Sequence, residues 1–211
     1  MAAIIVCNGS IIDYSFYDEY FEQAEFIIGV DGGATHLKKF GIKPNVLLGD
    51  FDSIPKDDFE YFKNLAVEII AFPKEKDMTD TELAAEFAVE KGYKEIIFLG
   101  ALGSRVDHSL ANIFILKSLL EKDIKGIIVN ETNEITLIKD RIEIKKSAGT
   151  KVTLLPLGER VEGVTTKGLY YPLDNAVLEV GSTCGVSNEF VSEIAEVSIK
   201  KGYLLVIKSR D

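Results

Sequence analysis

The chain has no tryptophan, and only two cysteines, two histidines and two methionines among its 211 residues. Two cysteines, Cys7 and Cys184, cannot form a disulfide framework. With so few histidines they do not make a zinc site either. Cys7 ends an apolar run and reads as a small buried hydrophobe. Long hydrophobic stretches are also missing, and none approaches the roughly 20 residues that span a bilayer. The apolar run Ala2–Cys7 is too short for a signal-peptide core and lacks a basic flank, so a cytoplasmic location is expected. Positive charge is scarce: 24 Lys and Arg face 34 Asp and Glu, a net charge of −10 with pI near 4.8. That balance argues against a nucleic-acid or anionic-membrane partner, because both need a positive field.

What is present is a globular composition, 46% hydrophobic, in a chain long enough to bury a sizeable core. The negative charge is concentrated. Residues 13–90 hold 18 acidic against 7 basic side chains, whereas the two signs nearly balance from 91 to 211. Most of those acids read as solvated helix faces. A few of them are candidates for a cation site.

Six short apolar runs, Ala2–Cys7, Glu25–Val30, Val46–Leu48, Glu68–Phe72, Glu95–Leu99 and Gly126–Asn130, are predicted strands. Their near-continuous apolar character suits parallel strands buried on both faces. Helical patterns lie between them. Thr79–Lys91 carries a capping box of Thr79 and Glu82, with Gly92 beyond its last turn. Val106–Glu121 presents Leu110, Ile113, Phe114 and Leu120 as its expected apolar set, and Ala34–Phe40 is a third candidate. Strand–helix alternation predicts an α/β domain with a mostly parallel, Rossmann-like sheet. After about Glu131 only short β-type runs occur, from Ile135–Ile138 to Tyr203–Ile207, punctuated by Gly, Pro, Asn and Asp. They predict a small all-β C-terminal sandwich. The expected division is 1–132 and 133–211.

Polar, Gly-rich segments follow the predicted strands, at the edge where open α/β sheets bind ligands. Asp31-Gly32-Gly33 precedes a helix, where paired glycines allow close backbone approach and a helix start favours phosphate. Asp50 and Asp52 flank Phe51. In an extended segment both carboxylates point one way and can meet one hard cation, with Phe51 turned inward. A turn in which the aspartates hydrogen-bond their own backbone is the plainer alternative. Asp77 and Asp80 sit at a helix start, where they are either cap residues or further metal ligands. Arg105, Asp107 and His108 enter the next helix from a Gly-rich loop, and Arg is suited to bidentate phosphate contact. A lone histidine such as His108 is more often structural than catalytic.

Five motifs together resemble the thiamine pyrophosphokinase family. They are Gly-Val-Asp-Gly-Gly-Ala (29–34), Gly-Asp-Phe-Asp-Ser-Ile (49–54), Lys-Asp-Met-Thr-Asp (76–80), Gly-Ser-Arg-Val-Asp-His (103–108) and Gly-Val-Ser-Asn-Glu-Phe (185–190). The resemblance implies a catalytic α/β domain that binds ATP and metal, a thiamine-binding β-sandwich, and a homodimer with active sites between subunits. It implies transfer of a diphosphate from ATP to the thiamine hydroxyl, giving thiamine diphosphate and AMP, with Mg²⁺. Asp50, Asp52 and Asp80 then resemble the metal-binding aspartates, with Asp77 close by. Asp31, Gly32 and Gly33 lie near the nucleotide. Arg105, Asp107 and His108 belong to the phosphate and acceptor loop, and Ser187 and Asn188 to the thiamine-contacting segment. Asp107 or Asp77 is the candidate base. The family loop more often reads Gly-Gly-Arg, and here Ser104 replaces the second Gly. Some relatives stack thiamine on a tryptophan. This chain has Tyr170, Tyr171 and Phe190 as possible substitutes, with ordinary packing the plainer role for each. A Mg²⁺-dependent phosphate hydrolase and a non-catalytic ligand sensor are the alternatives.

Overall fold

A computed structural model describes residues 2–211, which fall into two compact units that divide between Glu131 and Thr132. The first unit runs β1 (Ala2–Val6), a 3-10 turn (Tyr14–Tyr17), α1 (Asp18–Glu22), β2 (Phe26–Val30), α2 (Gly33–Phe40), β3 (Val46–Gly49), α3 (Lys56–Asn64), β4 (Glu68–Ala71), α4 (Asp80–Glu90), β5 (Glu95–Leu99), α5 (Val106–Glu121) and β6 (Lys125–Val129). The six strands are parallel, in the order β6-β5-β1-β2-β3-β4. The chain leaves β1 toward β2, β3 and β4, then returns to the other side of β1 for β5 and β6. The order therefore reverses between β1 and β5. A crevice opens at such a reversal, beyond the carboxyl ends of the strands.

Local sequence explains these elements. β1 is Ala-Ala-Ile-Ile-Val, and Ala3 to Val6 are fully buried, as a central strand covered on both faces requires. α2 stops at Gly41, whose φ of 69° is the left-handed conformation that glycine adopts without strain. The Ile42 N–H then reaches the Leu37 carbonyl at 3.0 Å, closing the helix end. α4 starts where Thr79 Oγ1 accepts the Glu82 N–H at 3.2 Å. α5 turns a different face inward from the one expected. Ile115, Leu116 and Leu119 are buried, whereas Leu110 and Phe114 are 46% and 55% exposed. The helix has apolar residues on more than one side, so periodicity does not choose between them. The strand below does: a Cβ at Gly126 of β6 would press on Leu116 at 2.7 Å and Leu119 at 3.0 Å, so glycine makes the flat seat for those two. α1 and α3 are the helices that apolar spacing leaves unmarked.

Asp58 ties α3 to α2. Its carboxylate accepts from Thr35 Oγ1 at 2.7 Å and Lys38 Nζ at 2.6 Å, and Asp58 is buried. The hydrogen bond from Lys38, opposed by burial, holds its carboxyl below the usual range. Asp58→Ala is expected to destabilise the unit by about 2 kcal/mol in denaturant melts at pH 7. A depressed folded-state value means that this contribution is complete above pH ~4 and is lost on acidification through the folded value, so the variant and wild type should converge at low pH.

The second unit contains β7 (Asn133–Ile138), β8 (Arg141–Lys145), β9 (Lys151–Pro156), β10 (Arg160–Lys167), β11 (Ala176–Glu179), β12 (Asn188–Glu189), β13 (Ile194–Ser198) and β14 (Leu204–Ser209). Strands β12, β9, β14 and β7 pair antiparallel in that order, and β11, β10, β13 and β8 form a separate antiparallel sheet. Between Glu162 and Val164 the register of β10 shifts at Gly163, with φ 71°. That bulge lets one half of β10 pair with β11 and the other with β13. Residues from both sheets, including Val152, Leu154, Val161, Val164, Val197 and Val206, share one core.

Candidate functional site

The carboxyl ends of the first unit's strands surround a cavity of about 610 Å³. Asp31 follows β2, Asp50 follows β3 and Asp80 opens α4 after β4. One carboxylate oxygen from each lies within 4.8 Å of the other two, and all three residues are partly buried. Backbone geometry makes the cluster. Asp31 adopts φ 46° and Phe51 φ 59°. Left-handed backbone is tolerated by Asp but is strained for an aromatic residue. The Phe51 N–H donates to Asp31 Oδ1 at 2.9 Å, and the Asp31 N–H to the Leu48 carbonyl at 3.1 Å. A Cβ at Gly49 would run into the Asp31 carboxylate, so glycine there clears its space.

The strained Phe51 also decides which acids meet. The expectation that Asp50 and Asp52 point the same way required an extended segment, and Phe51 breaks it. The Asp52 N–H instead donates to Asp50 Oδ1 at 3.0 Å, the turn alternative. The Asp52 carboxylate stands at the rim, 2.8 Å from Lys74 Nζ, which holds its carboxyl below the usual range. The converging trio is thus Asp31, Asp50 and Asp80, in place of the expected Asp50, Asp52 and Asp80. Phe51 itself packs inward beside Phe59, with centroids 5.1 Å apart.

Burial, reinforced by the nearby charges of Asp80, Asp50 and Asp52, pushes the Asp31 carboxyl up to about 6. Lys76 answers part of that charge. Its Nζ is 3.0 Å from Asp80 Oδ1 and 4.0 Å from Asp50 Oδ2, with the side chain only 14% exposed. Asp80 Oδ1 is nonetheless buried without a well-directed hydrogen bond. A buried oxygen lacking such a bond, within a set of three hard carboxylate donors, fits a divalent cation such as Mg²⁺. Lys74, Lys76 and Ser53, which accepts the Gly32 N–H at 3.1 Å, line the cavity but were not singled out by sequence reasoning. The alternation of Lys with acids at 74–77 was the signal for the two lysines.

Other expected residues separate into three groups. Arg105 and His108 line the cavity with the acids. Asp77 and Asp107 do not; Asp77 is exposed, and Asp107 is held by Arg105, with Nη2 to Oδ2 at 2.6 Å. That pairing draws the Asp107 carboxyl down to about 2. Gly32 and Gly33 are also absent from the lining. A Cβ at Gly33 would meet the Val6 carbonyl and one at Gly32 the Asn8 side chain, so these glycines let α2 approach β1 and its loop. Ser187 and Asn188 belong to the second unit. Ser187 is exposed with φ 59°. The buried Asn188 amide accepts the Tyr171 N–H at 2.9 Å and donates to the Tyr171 carbonyl at 2.7 Å. It thereby fixes a corner where Tyr170 and Tyr171 stand 62% and 64% exposed, edge to face at 4.9 Å. Phe190 is core, as ordinary packing predicts, whereas the two tyrosines are not. Cys7 is buried 3.6 Å from Thr81 Oγ1, and burial pushes its thiol up to about 12.

Residues 17–128 match the family description "Thiamin pyrophosphokinase, catalytic domain", and residues 139–204 match "Thiamin pyrophosphokinase, vitamin B1 binding domain". A thiamine pyrophosphokinase of Bacillus subtilis is 33% identical over 194 residues, covering 91% of each chain. One from Oryza sativa subsp. japonica is 30% identical over 99% of this chain and 88% of its own length. The crystal structure of thiamine pyrophosphokinase from Bacillus subtilis superposes over 100% of both chains with a TM-score of 0.92 and 31% identity. That from Geobacillus thermodenitrificans covers 100% and 98%, with 0.87 and 32%. Motifs, fold and similarity agree over almost the whole length: the chain belongs to the thiamine pyrophosphokinase family.

Proposed function

We propose that this enzyme transfers the terminal diphosphate of ATP to the hydroxyethyl oxygen of thiamine, giving thiamine diphosphate and AMP, and that it requires Mg²⁺. The observation that carries the reading is the convergence of Asp31, Asp50 and Asp80 on one cavity at the sheet's carboxyl edge. An anionic nucleotide would be repelled by three carboxylates alone. Asp31, Asp50 and Asp80 would hold the metal, with Asp52 at the rim; when bound, it supplies the positive charge that makes the acidic edge attractive to phosphate oxygens.

The chain's own residues supply the rest. Lys74 and Lys76 limit repulsion among the acids. Arg105 offers its planar fork to phosphate oxygens, exchanging the Asp107 carboxylate for the nucleotide. The thiamine oxygen forms its bond to the β-phosphorus, the bond from that phosphorus to the bridging oxygen of AMP breaks, and AMP departs with the electron pair. The hydroxyl proton passes to a carboxylate. Asp107 and Asp77 are the two candidates: the exchange at Arg105 frees the Asp107 carboxylate, whereas Asp77 is exposed and outside the cavity lining. Such transfer depends mostly on positioning and charge.

The six parallel strands support a Rossmann-like catalytic domain, and the shared core of the two later sheets supports a thiamine-binding sandwich around Ser187, Asn188 and the tyrosine corner. The enzyme is read as cytoplasmic, without nucleic-acid or membrane partners. No helix among the described residues is long and apolar enough to cross a membrane. A homodimer is part of the same reading. Val106, Leu110 and Phe114 make an exposed apolar stripe at four-residue spacing along α5, which suits a second copy of the chain. Leu110→Glu with Phe114→Glu is expected to shift the sedimenting species from dimer to monomer with little change in helix content. An unchanged mass would remove α5 from the interface.

The reaction is tested by incubating enzyme with ATP and Mg²⁺, with and without thiamine, and following AMP. AMP release that depends on thiamine supports the transferase. AMP or phosphate released equally without thiamine points to the hydrolase, and binding without any product to a sensor.

A further inference from the structure

His36 of α2 lies outside the motif residues, yet its ring is fixed at both nitrogens. Nε2 is 2.9 Å from the Gly9 carbonyl oxygen, and Nδ1 is 2.7 Å from the Tyr14 hydroxyl. A carbonyl oxygen only accepts, so Nε2 carries the proton. Nδ1 of the neutral ring then accepts from Tyr14. Burial holds His36 below its ordinary pKa, consistent with that neutral form. Tyr14 is fixed in turn, edge to face on Phe40 with centroids 4.6 Å apart.

Gly9 is in the middle of the loop that follows β1, and Asn8, Gly9 and Ser10 all line the cavity. The Gly9 N–H donates to the Gly100 carbonyl at 2.6 Å and the Ser10 N–H to the Leu102 carbonyl at 2.8 Å. A Cβ at Gly9 would run into both carbonyls. The loops after β1 and β5 are therefore in direct contact at the point where strand order reverses, and the second of them leads to Arg105. The far end of the first loop has its own anchor: Glu131 Oε1 accepts the Ile12 and Asp13 N–H groups at 2.7 and 3.0 Å. The His36 side chain holds the loop at Gly9.

We propose that His36 is a positioning residue that, through the Gly9 carbonyl, sets the paired loops 8–10 and 100–105 and with them the placement of Arg105 toward the nucleotide phosphates. The proposal rests on the nucleotide-handling reading of the cavity. It touches no substrate itself. Its signature is loss of ATP affinity with turnover largely kept, because Asp31, Asp50 and Asp80 are untouched.

The test uses three variants of the full chain. His36→Phe keeps a ring without the donor, His36→Gln restores an N–H near the Nε2 position, and Tyr14→Phe removes the second bond while preserving packing on Phe40. Loss of one such hydrogen bond corresponds to about a tenfold effect. His36→Phe is accordingly expected to raise the KM for ATP roughly tenfold with kcat within about threefold, and His36→Gln to recover most of it. Tyr14→Phe should move KM the same way by less, and it carries the test if His36→Phe fails to fold. Amide exchange at Gly9 and Ser10, followed without substrate, should quicken about tenfold in His36→Phe. The proposal is overturned if a folded His36→Phe leaves both the ATP KM and the two amides unchanged, or if His36→Gln is as impaired as His36→Phe. A wild-type enzyme that makes no thiamine diphosphate would overturn the function instead, and the amide exchange would still decide the loop.

Discussion

Asp50→Asn and Asp80→Asn are each expected to lower turnover roughly a thousandfold at saturating Mg²⁺, the scale of losing a metal's several kcal/mol of charge stabilisation. Asp52→Asn should cost about tenfold, because its carboxylate stands beside Lys74 at the cavity rim, outside the converging set. The contrast follows from backbone geometry. Asp50 and Asp80 place oxygens within 4.8 Å of each other and of Asp31, whereas Asp52 turns to Lys74 at 2.8 Å. Steady-state rates over a Mg²⁺ series separate the cases. Asp50→Asn and Asp80→Asn should stay impaired at any metal concentration, and Asp52→Asn should respond chiefly in apparent metal or ATP affinity. Equal, thousandfold losses at Asp50 and Asp52 would restore the pairing expected from the sequence.

Asp31→Asn is expected to do two opposite things. It should weaken divalent-ion binding by roughly a hundredfold or more, measured with Mn²⁺ alone. It should also stabilise the metal-free protein at neutral pH. The Asp31 carboxyl is raised to about 6 by burial and by its acidic neighbours, so the folded state prefers the protonated form. A raised folded-state value gives stability that is complete below the unfolded value and is lost as pH rises through the folded one. The penalty therefore develops between about pH 4 and pH 6 and stays constant above. Solvent screening at this half-exposed site keeps it to about 1 kcal/mol. Asn keeps the oxygen that accepts the Phe51 N–H at 2.9 Å, so the turn survives the change. Melting curves in chelator at pH 4 and pH 8 should coincide with wild type at the lower pH and lie above it at the higher. A variant less stable than wild type at pH 8 would show that the Asp31 charge is not a burden to the fold.

The strands of the first unit were legible because each is a short apolar run, nearly wholly buried in β1 and β3 though not in the edge strand β4, and β1 to β6 fall within a residue or two of the runs that mark them. The capping box at Thr79 was legible because its chemistry is local. The α5 face was not, since the choice between Leu110 and Leu116 is made by Gly126 on another strand. The site was legible at the level of segments: Asp31, Asp50, Asp80 and Arg105 follow four different strands and line one cavity. Which acids converge was not, because that turned on one residue. Phe51 has no sequence signal for left-handed backbone, being an aromatic where Gly or Asn is the usual choice. His36 was equally silent, a histidine on a helix whose partners, Gly9 and Tyr14, lie on a distant loop. Tyr170 and Tyr171 read as packing residues, and their exposure depends on a corner held by Asn188, 17 positions after Tyr171.

The proposed function turns on the two terminal phosphates moving together from ATP to thiamine. Incubation with ATP labelled at the γ-phosphorus, Mg²⁺ and thiamine tests it most directly. The label is expected in thiamine diphosphate, matched mole for mole by unlabelled AMP. Label in inorganic phosphate or in thiamine monophosphate, accompanied by ADP, would contradict it.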